Sequence, residues 1–235
     1  MSADTRTLNL TLTLCDDLVA SERPATEGGH ESLDYIPGSM LLGATAARLY
    51  GGCKDDEAYR LFHSGALRFG DGVPLAGGAP CWPMPLCWHE LKGLPATGED
   101  ERLAPDRMLN LQFEQFPRGE QAKQIRTGQV RGDGYRKVTS KALRMKTAID
   151  PRTGRVAEAQ LFGYEAIRAG QVFAARITAD GRLPEALWKR VTELFAGPAE
   201  FLLGRSRSAE YGRVRIEPAA GDPPPPRTPA RPGPA

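Results

Sequence analysis

The stretch TLNLTLTL, from Thr7 to Leu14, predicts the first strand of a sheet that is covered on one face only. Every second residue from Leu8 to Leu14 is leucine, and the residues between them are asparagine or threonine. Successive side chains of a strand point to opposite faces, so the leucines share one face and the polar residues share the other. The sequence therefore places a core on the leucine side and an open surface on the other side.

A helix is predicted next, from residue 39 to about residue 50, after the stretch DYIPG. Ser39 can cap its first turn, and the pair Gly51 and Gly52 ends it. The amides at the start of such a helix form a natural phosphate site, which makes Gly38 and Ser39 candidate binding residues. The predicted apolar stripe of the helix consists of Leu42, Ala46 and Leu49.

The other regular elements are predicted from hydrophobic periodicity and turn residues. They are helices over residues 55–63 and 184–196, and strands over residues 67–69, 129–138, 141–149, 160–167, 171–178 and 211–216. The order is strand, helix, inserted region, strands, helix, strand. It predicts an α+β fold, a ferredoxin-like (RRM-like) β-α-β-β-α-β sheet that is backed by two helices.

The predicted domain covers residues 1–217, with a large central insertion at about residues 65–158. Within the insertion, prolines in APCWPMPLCWHE predict an ordered but irregular loop over residues 73–101. The strands over 129–138 and 141–149 are predicted to pair through the turn RGDG as a long basic β-hairpin. Eight of the eighteen residues from Pro218 onward are proline, which predicts a semi-rigid or disordered tail.

The stretch GRSRSAEYGRVRI, from Gly204 to Ile216, is the strongest candidate binding segment. It holds four arginines against one acid, Glu210, and its two glycines allow backbone shapes that are closed to other residues. Alternation from Tyr211 puts two arginines on one face of a strand and Val and Ile on the other. Guanidinium forks suit a phosphate backbone, although an edge strand with solvated arginines has the same pattern. The candidates here are Gly204, Arg205, Ser206, Arg207, Ser208 and Arg213.

Charge is strongly segregated along the chain. Between Arg118 and Arg155 there are eleven Lys or Arg and three acids, a net charge of +8, while the whole chain carries only +2. A local excess of this size indicates a polyanionic partner, or else a basic hairpin that faces solvent or the acidic surface of a protein neighbour. The second-rank candidates on the predicted hairpin are Arg131, Arg136, Lys137, Lys141, Arg144 and Lys146.

Composition excludes several classes of protein. A chain of 235 residues that is 40% hydrophobic can bury a core, and it contains no apolar run of about eighteen residues and no signal-peptide pattern, so we expect a cytoplasmic protein. Four scattered cysteines are too few for a disulfide scaffold, so reduced thiols are expected. Cys81, Cys87 and His89 have a C-x5-C-x-H spacing that leaves zinc binding open, because it is not that of a familiar finger.

Three segments together resemble the RAMP (repeat-associated mysterious protein) superfamily of CRISPR-Cas effector subunits. They are DYIPGSMLLGATAARLYG at the first helix, TAIDPRTGRVAEAQLFGYEAIRAGQVFAARI in the middle and LGRSRSAEYGRVRI near the end. Within that superfamily the chain looks most like the handle-binding, cap-like subunit of type III-D complexes, in GRSRSAEYG, LRFGDG and PMPLCWHELKG. It departs from such subunits in length, because they usually continue into a second half.

The resemblance implies a subunit that binds CRISPR RNA near its 5′ handle in antiviral defence. We expect it to be non-catalytic, because its candidate acids and histidines lack convergent partners in the sequence. Its implied partners are the large polymerase-like subunit, the backbone RAMP subunits and, indirectly, target RNA. No cofactor and no catalytic residue is expected.

Two nuclease hypotheses and one other binding module stay open beside this prediction. Metal-dependent cleavage of target RNA would need a loop aspartate, for which Asp16, Asp17 and Asp34 are available. Processing of precursor RNA would use His30 as a general base, with Lys141 or Lys146 beside the phosphate. A stand-alone RNA-recognition domain shares the predicted sheet, but it should show two aromatic strand motifs, and only 7% of this chain is aromatic.

Overall fold

The computed structural model describes residues 5–22, 29–97, 101–115, 119–126, 128–149, 156–205, 210–219 and 221, with the backbone only for 29–30, 146–149 and 156–162. Within these ranges the helices are α1 (Gly38–Leu49), α2 (Asp55–Phe62) and α3 (Glu185–Leu194). The strands are β1 (Arg6–Leu14), β2 (Gly29–His30), β3 (Leu67–Phe69), β4 (Val73–Ala76), β5 (Ala79–Pro80), β6 (Trp82–Pro83), β7 (Trp88–Leu91), β8 (Met108–Asn110), β9 (Ala122–Gln124), β10 (Gln129–Val130), β11 (Arg136–Lys137), β12 (Lys141–Ile149), β13 (Val156–Ile167), β14 (Val172–Ala179), β15 (Ala199–Leu202) and β16 (Arg213–Pro218). None of the helices in the described ranges is long and apolar enough to cross a membrane.

The chain divides into two compact units. The first contains residues 1–73 and 140–222, and the described part of the second runs from Pro74 to Thr139. The α+β class predicted from the sequence is confirmed.

The main sheet of the first unit is antiparallel and is centred on β1. Strand β1 pairs with β14 on one side and with β16 on the other. Strand β15 lies outside β16, and β3 pairs with β14. The strand order in this unit is therefore β15-β16-β1-β14-β3.

The core of the first unit lies on the leucine face of β1, as the alternation predicted. Leu10, Leu12 and Leu14 are fully or almost fully buried, and they belong to one cluster with residues of all three helices. The last strand follows the same rule, because its Val and Ile side chains are buried while Arg213 and Arg215 are exposed. One face of the sheet is thus covered by helices.

Helix α1 is rotated relative to the prediction. Its buried residues are Gly38, Leu41, Ala44 and Thr45, whereas the predicted stripe of Leu42, Ala46 and Leu49 is only half-buried. Gly38 causes the difference, because a Cβ on this residue would collide with the carbonyl oxygen of Phe69. That close approach places Gly38 on the inward face, and the other buried positions follow three, six and seven residues later, on the same side of the helix.

The predicted basic hairpin is wrong in its pairing. Strand β12 pairs with β13, from Lys141 opposite Ile167 onward. Strand β10 instead turns back at once to pair with β11, and on its other side it pairs with β6. The RGDG turn closes a short hairpin inside residues 129–138, so it cannot join that segment to β12. The predicted hairpin residues are therefore divided between the two units.

The second unit is built from short strands around a small core. Strand β7 pairs with β8 and β9, and the core contains Met84, Trp88, Ala96, Leu103, Ile125 and Val130. The irregular loop expected over residues 73–101 contains four of these strands, β4 to β7. Sequence periodicity could not find them, because they are two to four residues long and β6 and β7 pair with residues far along the chain.

Candidate nucleic-acid interface

The glycine-punctuated segment forms a loop whose two ends require glycine. Gly204 and Gly212 have φ angles of +74° and +85°, in the left-handed region that side chains disfavour. A Cβ on Gly204 would lie 2.5 Å from the carbonyl oxygen of Val19, and one on Gly212 would collide with the carbonyl oxygen of Leu203. The sequence prediction that these glycines serve backbone shape agrees with this geometry.

Backbone hydrogen bonds fasten this loop to the segment that follows β1. The amide of Arg205 donates to the oxygen of Val19 at 3.1 Å, and the amide of Gly212 donates to the oxygen of Asp17 at 2.9 Å. The amides of Cys15 and Asp16 donate to the oxygen of Arg213 at 2.9 and 3.1 Å. The base of the loop is therefore fixed, while Ser206, Arg207 and Ser208 lie outside the described residues.

A cavity of about 650 Å³ opens beside the fixed base of the loop. We call it the loop cleft, and it is lined by Cys15, Asp16, Asp17, Arg144, Met145, Ala169, Glu210 and Tyr211. Tyr211 is buried and packs against Tyr164, with ring centroids 6.4 Å apart. This aromatic contact supports the loop from below.

The arginines of the loop cleft are held by carboxylates. Arg213 lies 3.2 Å from Asp16, and Arg144 lies 3.1 Å from Asp17. Asp17 is oriented by the amide of Ala169, which donates to its other oxygen at 2.9 Å. The hydrogen bond with Asp16 raises the pKa of the Arg213 guanidinium above its ordinary value. The side chains of Arg144 and Arg213 are 60% and 50% exposed, so both remain accessible to a ligand.

Lys141, a predicted binding residue, lies inside an ion-pair cluster. Its amino group contacts Asp34 at 2.8 Å and Glu165 at 3.0 Å, and it donates to the carbonyl oxygen of Ser32. Burial lowers the pKa of Lys141, but the two carboxylates outweigh burial and raise the pKa above its ordinary value. Lys141 therefore ties the β12–β13 hairpin to the segment before α1. Only the backbone of Lys146 is described.

The predicted phosphate site at the start of α1 is occupied by a side chain of the protein itself. The carboxylate of Asp71 accepts a hydrogen bond from the amide of Gly38 at 2.7 Å. Ser39 is exposed and does not cap the helix, so that part of the prediction is wrong. Asp71 is the residue that sequence reasoning missed, because it comes from the distant stretch LRFGDG.

The three remaining candidates lie in the second unit. Arg131 closes the β10–β11 turn, because it contacts both oxygens of Asp133 and also donates to the carbonyl oxygen of Ala76. Those hydrogen bonds hold the pKa of Asp133 well below its usual range. Arg136 donates to the hydroxyl of Thr97 at 3.0 Å, and Lys137 is half-buried on β11.

The candidate catalytic acids lie in two places of the first unit, Asp16 and Asp17 at the loop cleft and Asp34 before α1. Asp16, Asp17 and Asp34 each contact a basic side chain, and His30 is described only through its backbone, in a short strand parallel to β13. In the part of the chain that the structure describes, no group of three or more His, Cys, Asp or Glu side chains converges. Cys81 is buried, which raises the pKa of its thiol.

No protein-family model and no curated protein matches the sequence, whereas solved structures match the fold. A chain of the apo type III-B Cmr-beta complex has a TM-score of 0.52 and 11% identity, over 90% of this chain and 96% of that one. A chain of the complex bound to cognate target RNA has a TM-score of 0.54 and 10% identity, over 91% and 97%. A third match, from Cmr-beta with target RNA and AMPPnP, has a TM-score of 0.51 and 12% identity, and this chain spans 64% of it.

These three matches cover nine-tenths of the chain or more, so they concern the whole arrangement and not one motif. The chain therefore shares its fold with chains of the type III-B Cmr-beta complex.

Proposed function

We propose that this chain is a non-catalytic subunit of a type III CRISPR-Cas effector complex and that it binds guide RNA at the loop cleft. One observation carries the proposal: the loop between Gly204 and Gly212 is fixed at both ends by left-handed glycines and by backbone bonds to residues 17–19. Arg144 lines the cleft from the β12–β13 hairpin, and Arg213, which is held by Asp16 of the lining, lies beside it. Fixed guanidinium groups beside a cavity suit the phosphates of a bound strand.

The sheet order supports the ferredoxin-like interpretation of the first unit. The predicted second strand, over residues 160–167, pairs with β12 in another sheet, but with β3 in its place the order is β16-β1-β14-β3, and all neighbours are antiparallel. Along the chain, helix α1 follows β1 and helix α3 follows β14. Two helices thus cover one face, as in the predicted β-α-β-β-α-β plan.

The finer assignment is the 5′-handle-binding cap of a III-D-like complex, beside the large polymerase-like subunit and the backbone RAMP subunits. It rests on GRSRSAEYG, LRFGDG and PMPLCWHELKG, of which the first two lie in the first unit and the third lies in the second. The first forms the loop, and the second supplies β3 and the carboxylate of Asp71 that holds the start of α1. The first two segments therefore belong to the unit that contains the cleft.

The ion pairs of the candidate acids support the proposal that the subunit is non-catalytic. Asp16 and Asp17 position arginines, and Asp34 lies against Lys141. A carboxylate that already holds a guanidinium or an ammonium group has less charge to offer a second cation. The neighbours named in the comparisons are described as bound to cognate target RNA, which agrees with an RNA-binding role.

The test is a binding titration of the full chain with a guide RNA of fixed 5′ handle and with the same RNA whose 5′ sequence is permuted. The triple variant R144A/R205A/R213A should bind the first RNA about 100-fold more weakly. The slope of log affinity against log salt should fall by roughly 2, which is about 0.7 for each phosphate contact of a single strand. The control R60A/K189A removes two exposed cations of the same unit that do not line the cleft, and it should bind normally.

Unchanged affinity in the triple variant would refute binding at the loop cleft. Equal affinity of the unaltered protein for the two RNAs would refute handle recognition, while RNA binding itself would stand.

A further inference from the structure

The second unit contains a cavity of its own, of about 780 Å³. We call it the basic cavity, and it lies between the β7–β9 pair and the segment around Thr97 and Arg136. Its lining includes three cations, Lys123, Arg126 and Arg136, together with His89 and one acid, Glu90. The cavity is therefore positively charged, in contrast to the loop cleft.

The single acid of the basic cavity is already engaged. The carboxylate of Glu90 accepts a hydrogen bond from the amide of Ala96 at 2.9 Å, which fixes the wall beside Pro95. Within the described ranges, no carboxylate pairs with Lys123 or Arg126, both of which are exposed. Glu90 lies opposite Lys123 in the β7–β9 register, so it is the lining as a whole, with three cations and one acid, that keeps a net positive charge.

Hydrogen bonds orient the groups that face this cavity. Gln124 donates to the carbonyl oxygen of Leu86 at 2.6 Å and accepts from Nε of Arg126 at 3.0 Å, so the amide fixes the guanidinium. Arg136 is held by Thr97 at 3.0 Å. The Nδ1 atom of His89 lies 3.1 Å from the carbonyl oxygen of Cys87, and since a carbonyl can only accept, Nδ1 carries the proton. The guanidinium groups of Arg126 and Arg136 are thus held in fixed orientations, which suits the binding of an anion.

Apolar groups complete the cavity. Pro95, Ala122 and the buried Ile125 lie in the same lining as the three cations. Charged donors for a phosphate beside an apolar wall for a base or ribose match the chemistry of a nucleotide.

We propose that the basic cavity binds the phosphate group of a nucleotide, either within an RNA strand or free. This site shares no residue with the loop cleft, so it does not depend on the function proposed for the first unit. Its cations come from β9, from the segment after β9 and from β11, which meet only in the folded unit.

The experiment compares the full chain with the variant K123A/R126A in two arms. One arm measures anisotropy of a 12-nucleotide single-stranded RNA of mixed sequence across a salt series, and the other measures ATP binding by calorimetry. In the variant, RNA affinity should fall about tenfold and its salt slope by roughly 1.4, the value for two lost contacts. Both residues are exposed, so the fold should be kept, and Arg107→Ala serves as a control for an exposed charge of the same unit outside the cavity.

If the variant loses affinity for RNA alone, the site binds an RNA strand. If it loses affinity for ATP alone, the site binds a free nucleotide. Unaltered binding in both arms overturns the proposal. It is also overturned if polyglutamate displaces the RNA as effectively as unlabelled RNA at equal charge, because the surface would then fit an acidic protein partner. The variant R144A/R205A/R213A tests the other site, so the two proposals can fail separately.

Discussion

The loop cleft of the first unit and the basic cavity of the second handle positive charge in opposite ways. Three acids and one arginine line the loop cleft, and Asp16 and Asp17 hold arginines within it or beside it. Three cations and one acid line the basic cavity, and the acid is bound to a backbone amide. The lining of the loop cleft is therefore net negative, whereas the lining of the basic cavity is net positive.

This difference separates two kinds of recognition. An arginine that is oriented by a carboxylate loses little freedom when a ligand arrives, but the carboxylate opposes a phosphate that approaches. An unbalanced cation attracts any phosphate over several ångströms and makes binding depend on salt. We therefore expect the loop cleft to select among RNA sequences and the basic cavity to bind without regard to sequence.

The largest effect is expected where the loop meets the segment after β1. Replacing Gly212 with alanine puts a Cβ at a φ of +85° and against the carbonyl oxygen of Leu203. We expect a loss of about 3 kcal/mol in the free energy of unfolding, from backbone strain and a steric clash together. Urea denaturation followed by circular dichroism measures it.

The second unit offers a matched control for that substitution. Gly78 also has a positive φ, of +76°, but a Cβ there meets nothing within 4 Å. Gly78→Ala should cost only about 1 kcal/mol, the strain without the clash. Equal costs at the two glycines would mean that the close approach of Gly212 to Leu203 does not constrain the loop.

A smaller effect is expected from neutralising the acids of the loop cleft. The variant D16N/D17N releases Arg213 and Arg144 from their carboxylates and removes two negative charges near bound phosphates. RNA affinity should rise about fivefold, and the salt slope should steepen. The control D56N removes an exposed charge on α2 and should leave binding unchanged.

The same acid variants test the nuclease alternative. In a reconstituted complex with magnesium, cleavage of target RNA should be the same for D16N, D17N and the unaltered protein. If one of them stops cleavage at a phosphodiester while RNA affinity stays intact, that acid belongs to an active site and the non-catalytic proposal fails.

The sequence predicted the first unit well because its signals are local. The alternation in β1, the helix periods and the glycines of the loop each report a structure within a few neighbouring residues, and each prediction is confirmed apart from the rotation of α1. The pairing of β12 could not be read in the same way, because a basic alternating strand fits any partner. Gln129–Val130 was a plausible partner by sequence distance alone.

The candidate sites were harder to predict than the fold. Sequence charge indicated the basic segment, but not that Lys141 lies between Asp34 and Glu165, which come from elements far away in the chain. Lys123 and Arg126 belong to that basic segment, but the sequence does not mark them as binding residues, because neither lies in a recognisable motif. Their grouping depends on the pairing of β7 with β9, which short strands do not reveal.

The two units should also respond to opposite ends of the pH scale. The pKa of Lys141 is raised above its ordinary value of 10.5, so its ion pairs stabilise the fold fully below that pH, and the contribution is lost as pH rises through the raised pKa. The pKa of Asp133 is lowered from 3.8, so its contribution is complete above that value and is lost as pH falls through the lowered pKa.

Substitutions separate these two pH effects. Lys141→Met should lower the free energy of unfolding by about 2 kcal/mol at pH 7, because it leaves two carboxylates without their cation, and the difference from the unaltered protein should shrink above pH 10.5. Asp133→Asn should cost less than about 1 kcal/mol, because its side chain is 42% exposed, and its effect should vanish in acid. Urea titrations across pH measure both differences, and a pH-independent cost for Lys141→Met would assign that residue a packing role only.

The smallest effect is expected at the end of the first unit, where the predicted tail begins. Strand β16 runs through Pro218, opposite Leu10, and the amide of Ala219 donates to the oxygen of Asn9 at 2.9 Å. Residue 220 and residues 222–235 lie outside the described ranges, so the tail itself stays a prediction. Truncation after Glu217 should cost about 1 kcal/mol, the net value of one backbone hydrogen bond with its strand end, whereas truncation after Gly221 should leave the melting temperature unchanged. A drop of several degrees in the variant truncated after Gly221 would mean that the proline-rich residues pack on a folded unit. Equal stability of the two variants would mean that the hydrogen bond to Asn9 contributes nothing.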